Sequence, residues 1–300
     1  MNRRNVLISA TSAAAFVSSA AAEGPATRPA RGPFIETDDG VQLFHRDCGH
    51  GRSILFVAAW GLNSLAWQYQ MAPLMSAGFR CIAFDRRSHG RSSDPGFGYD
   101  IDRLADDLGC VMNGLQLENV VLVGHSLGAA EIVRYVTRHG AARVGGLVLI
   151  APTTPLLVKT SDNPDGVDPT FFEGLRKRAT QDFPGTVASN LRPFFVAETS
   201  QAMSDWVLNM MAQTPLYALI ACNRALSTED FRSELPKIRL STLILQGDAD
   251  VSASLPITGR KTAALMPKAE LKVYEGAPHG LIYTHMSRVN ADIEAFSKLP

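Results

Sequence analysis

A serine flanked by glycines stands between a predicted strand and a predicted helix, and this junction constrains the fold more than any other feature. Residues 120–123 are an apolar run typical of a strand buried on both faces. The pattern G-x-S-x-G follows as Gly124-His-Ser-Leu-Gly128, and apolar residues then recur at helical spacing over residues 129–136. In this context the pattern indicates a sharp turn that exposes the hydroxyl group of Ser126 as a nucleophile. The alternative, a solvated serine in an ordinary glycine turn, is disfavoured by the flanking strand and helix.

Strands alternate with helices along most of the chain. Strands are predicted at residues 53–59, 80–84, 120–123, 144–150, 242–246 and 270–274, most of them apolar runs. A hairpin precedes them, with residues 34–37 and 42–46 on either side of the turn signal Asp38-Asp39-Gly40. This alternation predicts an α/β fold, in which a mostly parallel twisted sheet carries helices on both faces.

The alternation stops after residue 151. Residues from about 152 to 232 show helical patterns and no clear strand, so we predict a helical cap inserted between two strands of the sheet. The large apolar side chains of this segment either pack the cap onto the sheet or line a pocket beneath it, and both roles can hold. They are Phe171, Phe172, Phe183, Phe194, Phe195, Met203, Trp206, Met210 and Met211.

The first 22 residues have the composition of a signal peptide. Arg3-Arg4 precede a weakly apolar run over residues 6–22, and Ala20-Ala21-Ala22 offers a cleavage site of small residues. The paired arginines predict twin-arginine export to the bacterial periplasm, with no membrane insertion after cleavage. An ordinary secretory signal and a disordered tail are the alternatives. Residues 23–33 are predicted to be a proline-rich linker, and residues 34–300 to be the folded domain.

The composition disfavours several classes of partner. The formal net charge is +0, so no basic field favours nucleic acid or an anionic membrane. The four cysteines are far apart and form no cluster with histidine, so the sequence predicts no metal and no organic cofactor. The oligomeric state is left open.

A serine hydroxyl needs a base before it can act as a nucleophile at neutral pH. In chains with this turn, the acid and then the histidine follow the serine. Gln246-Gly-Asp-Ala-Asp250 follows one predicted strand, and His279 follows the last one. Because the carboxyl ends of parallel strands form one edge of the sheet, we expect Ser126, Asp250 and His279 to meet there as a catalytic triad. Asp248 is the alternative acid, although a role in shaping the turn suits it better.

Two N–H donors are needed where negative charge develops on the substrate oxygen. We expect one from the backbone of Leu127, directly after Ser126, and the other from the backbone of Trp60, after the first buried strand. The Trp60 side chain is expected either to line the pocket or to pack in the core. His125 is expected to point away from the substrate, and His89 to make a structural hydrogen bond.

Seven short motifs are spread over the chain: Trp67-Gln-Tyr-Gln70, Phe84-Asp-Arg-Arg87 with His89-Gly-Arg-Ser92, Ala105-Asp-Asp-Leu108, Gly124-His-Ser-Leu-Gly128, Pro193-Phe-Phe195, Gln246-Gly-Asp-Ala-Asp250 and Gly276-Ala-Pro-His-Gly280. Together they resemble the cofactor-free haloperoxidase and aryl esterase branch of the α/β-hydrolase superfamily, from Phe34 to the end of the chain. The resemblance implies an α/β-hydrolase fold with a helical cap. It also implies that Asp250, the second aspartate of its motif, is the triad acid and that Trp60 supplies a backbone donor.

The chain departs from the pattern of this family in four places, of which Gly128-Ala129, where the branch often has Gly-Gly, is a small change. Ala58-Ala59 stands where the family usually has His-Gly before the oxyanion residue, so the loop that carries Trp60 is supported differently. Gly61 stands where members with good perhydrolase activity often carry proline. Ser254 stands where a proline is expected four residues after the acid.

These residues predict a serine hydrolase that cleaves small-molecule carboxylic esters through an acyl-enzyme. The pocket is expected to include Trp60, Phe194 and Phe195, which favours a small or medium apolar or aromatic acyl group, and a lactone is a further candidate. The alternative is a cofactor-free haloperoxidase or perhydrolase, in which hydrogen peroxide intercepts the same acyl-enzyme and a peracid forms. A non-catalytic binding protein with this fold is the least expected outcome.

Overall fold

The computed structural model describes residues 32–299, and within them eight strands form one sheet in the order β1-β2-β4-β3-β5-β6-β7-β8. The first two strands pair antiparallel, and β2 joins β4 antiparallel, while β3 to β8 run parallel to one another. The predicted α/β fold with a mostly parallel sheet is therefore confirmed. The strands are β1 (Phe34–Glu36), β2 (Gln42–Gly49), β3 (Ser53–Val57), β4 (Arg80–Phe84), β5 (Val120–His125), β6 (Val144–Ile150), β7 (Thr242–Gly247) and β8 (Ala269–Tyr274).

Four of the helices, α2, α4, α5 and α6, begin at a residue whose side chain caps them. Asp100 accepts a hydrogen bond from the backbone of Arg103 at the start of α2, and Ser200 accepts one from Met203 at the start of α6. The helices are α1 (Gln68–Ser76), α2 (Ile101–Gly114), α3 (Leu127–His139), α4 (Pro169–Gln181), α5 (Phe183–Leu191), α6 (Gln201–Ala212), α7 (Leu216–Thr228), α8 (Gly259–Leu265), α9 (Leu281–Thr284) and α10 (Met286–Ser297), with 3₁₀ turns at Ser64–Trp67, Arg192–Phe194 and Leu235–Lys237.

Helices cover both faces of the sheet, as predicted. In β3 the side chain of Leu55 joins an apolar cluster with α2 and α3, whereas its neighbours Ile54 and Phe56 join a second cluster with α1 and α10. Successive side chains of a strand point to opposite faces, so a central strand that is covered twice must be apolar throughout. All five residues of β3 are buried, which agrees with the uninterrupted apolar run in its sequence.

Four helices, α4 to α7, lie between β6 and β7 in the chain and form the predicted cap. The cap is tied to the loop after β3 by two side chains. The indole Nε1 of Trp60 donates to the carbonyl of Leu219 in α7 at 2.8 Å, and Thr214 Oγ1 lies 3.4 Å from the carbonyl of Gly61. The cap therefore packs directly on the loop that was expected to carry an oxyanion donor.

None of the helices within residues 32–299 is both long enough and apolar enough to cross a bilayer. The predicted signal peptide, residues 1–22, lies outside the described residues, as does most of the predicted linker.

Candidate active site

Ser126 lies on a sharp turn between β5 and α3. Its φ of 56° and ψ of −115° place it in a backbone region that residues with a side chain rarely adopt. The turn is held by a hydrogen bond from the Ser126 N–H to the carbonyl of Ile150, at 2.9 Å. The two flanking glycines allow the close crossing: a Cβ atom on Gly128 would stand 2.2 Å from the carbonyl oxygen of Val57, and one on Gly124 would stand 2.5 Å from the carbonyl oxygen of Gly128.

Asp250 and His279 are brought together by the loops after β7 and β8. His279 Nδ1 lies 2.8 Å from Asp250 Oδ2, and both residues are buried. The other carboxylate oxygen, Oδ1, accepts the backbone N–H groups of Ser252 and Ala253 at 2.9 and 2.8 Å. Burial on its own would raise the pKa of Asp250, but the charge and hydrogen bond of His279, with these two N–H groups, hold that pKa below its usual value. An ionised Asp250 fixes the proton on Nδ1 and leaves Nε2 free to accept one.

The alternative acid, Asp248, does not pair with the histidine. Its Oδ1 accepts the backbone N–H of Gly276 at 2.7 Å, which links the turn after β7 to the turn after β8. The two carboxylates of this loop thus make different contacts, as expected from the sequence: Asp248 bonds to the neighbouring turn, and Asp250 bonds to His279.

The backbone of His279 is held by its neighbours. His125 Nε2 lies 3.0 Å from the carbonyl oxygen of His279 and must donate to it, because a carbonyl can only accept. Burial, together with the nearby His279, lowers the pKa of His125 to about 3, so its ring is neutral. On the cap side, the N–H of Gly280 donates to the carbonyl of Phe194 at 3.0 Å.

A cavity of about 450 Å³ lies between the cap and the sheet. Ser126 and His279 both line it, and so do the predicted pocket residues Trp60 and Phe194. Most of the remaining wall is apolar. The other lining residues are Ala59, Leu62, Thr153, Leu157, Val167, Phe171, Phe172, Leu175, Val187, Asn190, Leu191, Pro193, Met211, Asn223, Leu226, Val251 and Ser252.

Phe195, the third expected pocket residue, lines a different cavity together with residues of α5 and α6. The 3₁₀ turn ends at Phe194, and Phe195 takes an extended backbone with φ of −120° and ψ of 165°. The backbone conformation thus changes between the two residues, and their side chains line different cavities. The prediction that Phe195 contacts the substrate is therefore corrected.

The two backbone N–H groups expected to form an oxyanion hole are free. Within residues 32–299, the N–H of Trp60 and that of Leu127 have no hydrogen-bond acceptor. Leu127 is the first residue of α3, where N–H groups point out of the helix and the helix dipole favours negative charge. Both groups are thus available to an oxygen atom of a bound molecule.

A buried ion pair that the sequence analysis missed supports the loop of Trp60. Arg86 Nε donates to Glu131 Oε1 at 2.7 Å, and its Nη2 donates to the carbonyl of Ala58 at 2.7 Å. Burial raises the pKa of Glu131 to about 7, against the attraction of Arg86. Arg86 thereby connects helix α3 to the Ala58-Ala59 segment that stands where related chains have His-Gly. The available signal was Glu131 itself, a carboxylate among the apolar residues of a buried helix.

His89 is buried outside the cavity, and its Nδ1 donates to the carbonyl of Arg87 at 2.9 Å. Burial and the adjacent Arg86 lower its pKa to about 3. Within the described range, no group of histidine, cysteine and carboxylate side chains is arranged to hold a metal ion.

Known proteins of two kinds resemble the chain. It is 38% identical over 273 residues to the non-heme chloroperoxidase CPO-A1 of Kitasatospora aureofaciens, covering 89% of this chain and 97% of that protein. It is 35% identical over 275 residues to the bifunctional esterase/perhydrolase DCH of Acinetobacter calcoaceticus, covering 88% and 98% of the two chains. The solved structure of an esterase from Exiguobacterium antarcticum superposes with a TM-score of 0.87 at 28% identity, covering 90% of this chain and 100% of that one.

The family model described as the alpha/beta hydrolase fold matches residues 52–286. This segment includes the turn of Ser126, the loop of Asp250 and the loop of His279. The chain therefore belongs to the α/β-hydrolase family, in the branch that contains esterases and non-heme haloperoxidases.

Proposed function

We propose that the protein is a serine hydrolase of carboxylic esters. The observation that carries the proposal is that His279, paired with the buried carboxylate of Asp250, lines the same cavity as Ser126. The strained turn of Ser126 and the free N–H groups of Trp60 and Leu127 add the nucleophile and the oxyanion donors that acyl transfer needs.

The reaction runs in two steps. His279 Nε2 takes the proton of the Ser126 hydroxyl as Oγ attacks the ester carbonyl, and the N–H groups of Trp60 and Leu127 stabilise the oxyanion. His279 then gives this proton to the leaving alkoxide, and the C–O bond of the ester breaks to leave an acyl-enzyme. In the second step His279 deprotonates a water molecule, which attacks the acyl carbonyl, and the proton returns to Ser126 as the carboxylic acid departs. Asp250 stabilises the imidazolium in both steps.

Perhydrolysis is the second candidate, because one relative is named as an esterase/perhydrolase and another as a chloroperoxidase. Hydrogen peroxide would replace water in the second step, and a peracid would leave. One feature of the loop weighs against it. Gly61 has a φ of +72°, which proline cannot adopt, so the loop after Trp60 takes a course that the proline of good perhydrolases would not allow.

The test compares the two reactions in one preparation. Wild-type protein and Ser126→Ala are assayed for hydrolysis of p-nitrophenyl esters of increasing chain length and for peracid formation from acetate and hydrogen peroxide. We expect ester hydrolysis to exceed peracid formation. We expect Ser126→Ala to lose activity by a factor on the order of 10⁴ to 10⁶, with unchanged circular dichroism. Ester hydrolysis that survives in a folded Ser126→Ala protein would refute the proposal.

A further inference from the structure

Two asparagines of the cap line the otherwise largely apolar cavity, Asn190 on α5 and Asn223 on α7. Asn223 is only 4% exposed, although its side chain ends in a polar amide. Buried amides are normally satisfied at both ends, because an unpaired donor or acceptor loses its hydrogen bonds to water without replacement. The partners of each amide therefore indicate what an occupant of the cavity must supply.

Arg176 determines which end of the Asn223 amide faces the cavity. Its Nη1 donates to Asn223 Oδ1 at 3.0 Å and lies 3.4 Å from Ser227 Oγ. A guanidinium group can only donate, so the amide oxygen must point towards Arg176 and the NH₂ group must point away from it. In the described part of the chain this NH₂ group has no acceptor, and it is not sealed off from the cavity.

The charge of Arg176 strengthens this donor. Over residues 32–299 the guanidinium makes no ion pair within 4.0 Å, and burial together with the like charge of Arg224 lowers its pKa, against the attraction of Glu173. A cation bonded to the amide oxygen polarises the amide, which makes the opposite N–H groups better donors. Asn190 is arranged differently: its Nδ2 donates one of its two hydrogens to the carbonyl of Thr186 at 2.7 Å, and over residues 32–299 its oxygen atom has no donor.

We propose that Asn223, oriented by Arg176, is a specificity-determining hydrogen-bond donor, and that the preferred substrates are esters whose acyl chain carries a neutral oxygen acceptor. This inference rests on the proposed esterase function. We assign the acceptor to the acyl chain because the bond to Ser126 Oγ holds that chain in the cavity from its formation in the first step until water breaks it in the second. An ether, hydroxyl or carbonyl oxygen meets the requirement, whereas a plain alkanoyl chain leaves the Asn223 amide without a partner.

The test uses p-nitrophenyl hexanoate and its three ether analogues, in which oxygen replaces carbon 3, 4 or 5 of the acyl chain. Each kcat/KM is divided by the rate of hydroxide-catalysed hydrolysis of the same ester, which removes differences in intrinsic reactivity. We expect the wild-type protein to favour at least one ether ester over hexanoate by about five- to tenfold, the effect of one hydrogen bond.

Asn223→Asp is the matched variant, because it keeps the shape and the bond to Arg176 but replaces the donor by an oxygen atom. It should abolish or reverse the ether preference, and the apolar Asn223→Leu should bring the corrected ratio close to one. Arg176→Met should weaken the preference, since the amide is then free to turn over. Asn190→Leu should change the ratio far less than Asn223→Leu does, because the Asn190 NH₂ group is already bonded to the carbonyl of Thr186 and its unbonded oxygen cannot donate to an ether.

Hydrolysis of hexanoate separates the two proposals. If the wild-type protein hydrolyses hexanoate but favours no ether ester, or if the preference persists in Asn223→Asp and Asn223→Leu, the donor role is wrong while the esterase function stands. If the wild-type protein hydrolyses neither these four esters nor any other p-nitrophenyl ester of the chain-length series, the esterase function fails and this inference fails with it.

Discussion

Strain at a single residue places the proposed nucleophile. Ser126 holds a positive φ of 56°, and a residue with a side chain in such a region costs about 1–3 kcal/mol. The surrounding hydrogen bonds, from Ser126 N–H to Ile150 and from Ala129 N–H to the carbonyl of Ser126 at 3.0 Å, keep the turn in place. The fold therefore tolerates a local cost that lifts the hydroxyl group out of β5 and towards the cavity.

Replacing Ser126 by glycine should release this strain. Glycine adopts positive φ without a steric cost, but it also gains more freedom in the unfolded chain. We expect Ser126→Gly to be more stable than Ser126→Ala by about 1 kcal/mol, although both are inactive. Urea unfolding followed by circular dichroism measures the difference. Equal stability, or a more stable alanine variant, would show that the turn is not strained.

The residues of the site differ in how far the sequence could predict them. Ser126, Asp250 and His279 stand in short local motifs, so their positions at strand ends followed from the order of the elements. Arg86 and Glu131 are 45 positions apart, and Arg176 and Asn223 are 47 apart. Such pairs depend on how helices pack in space, for which one sequence offers no local signal.

Elements of the sheet were easier to predict than those of the cap. Strands β3 to β7 are short, largely apolar runs bounded by turns, whereas β8 alternates apolar and charged residues. The close crossing of α3 over β3 is marked by the glycines of the serine motif. In the cap, only the helical character was predicted. Its apolar residues pack on the sheet and also line the cavity, so apolar residues occur on more than one face of a helix and the spacing does not show where each helix begins and ends. The error at Phe195 arose there, where a three-residue 3₁₀ turn shifts the facing of neighbouring side chains.

The crossing of α3 over β3 should be intolerant of a single methyl group. A Cβ atom at position 128 would stand 2.2 Å from the carbonyl oxygen of Val57, so Gly128→Ala must displace the helix that carries Leu127. We expect a loss of about 1–3 kcal/mol in the free energy of unfolding and a clear drop in kcat. Urea unfolding and ester hydrolysis provide the two measurements.

Gly174→Ala in the cap helix α4 is the matched control for this prediction. The nearest atom there is the end of the flexible Arg178 side chain, at 3.3 Å, and alanine favours helix over glycine by up to about 1 kcal/mol. The control should therefore be as stable as the wild type or more so. If Gly128→Ala behaves like Gly174→Ala, the crossing is looser than the structure indicates.

At the scale of the whole molecule, two buried neutral histidines couple folding to pH. Burial lowers the pKa of both His89 and His125 from an ordinary value of 6.5 to about 3. The nearby Arg86 adds to the shift of His89, and the nearby His279 adds to that of His125. Between these values the unfolded chain binds more protons than the native protein. The free energy of unfolding should therefore fall as the pH falls from 6.5 towards 3. Each histidine should contribute about 1.4 kcal/mol per pH unit to this loss.

His89→Gln isolates one of these contributions, because glutamine can donate to the Arg87 carbonyl but does not titrate. The free energy of unfolding, measured in urea between about pH 5 and 6, should depend on pH less steeply in the variant, by about 1.4 kcal/mol per pH unit. Comparing the two proteins cancels the contributions of all other titrating groups. Identical slopes would mean that His89 is protonated in the native protein.

The central claim is that Ser126 is a nucleophile activated by His279, and covalent labelling tests it most directly. The full chain is incubated with a fluorophosphonate ester, and the site of modification is read from peptide masses. Attack by Ser126 Oγ on phosphorus expels fluoride, and the hydroxyl proton passes to His279. The account predicts one adduct, on the peptide that contains Ser126, absent in Ser126→Ala and formed far more slowly in His279→Gln. A folded wild-type protein that takes no label, or takes it equally well in Ser126→Ala, would contradict the account.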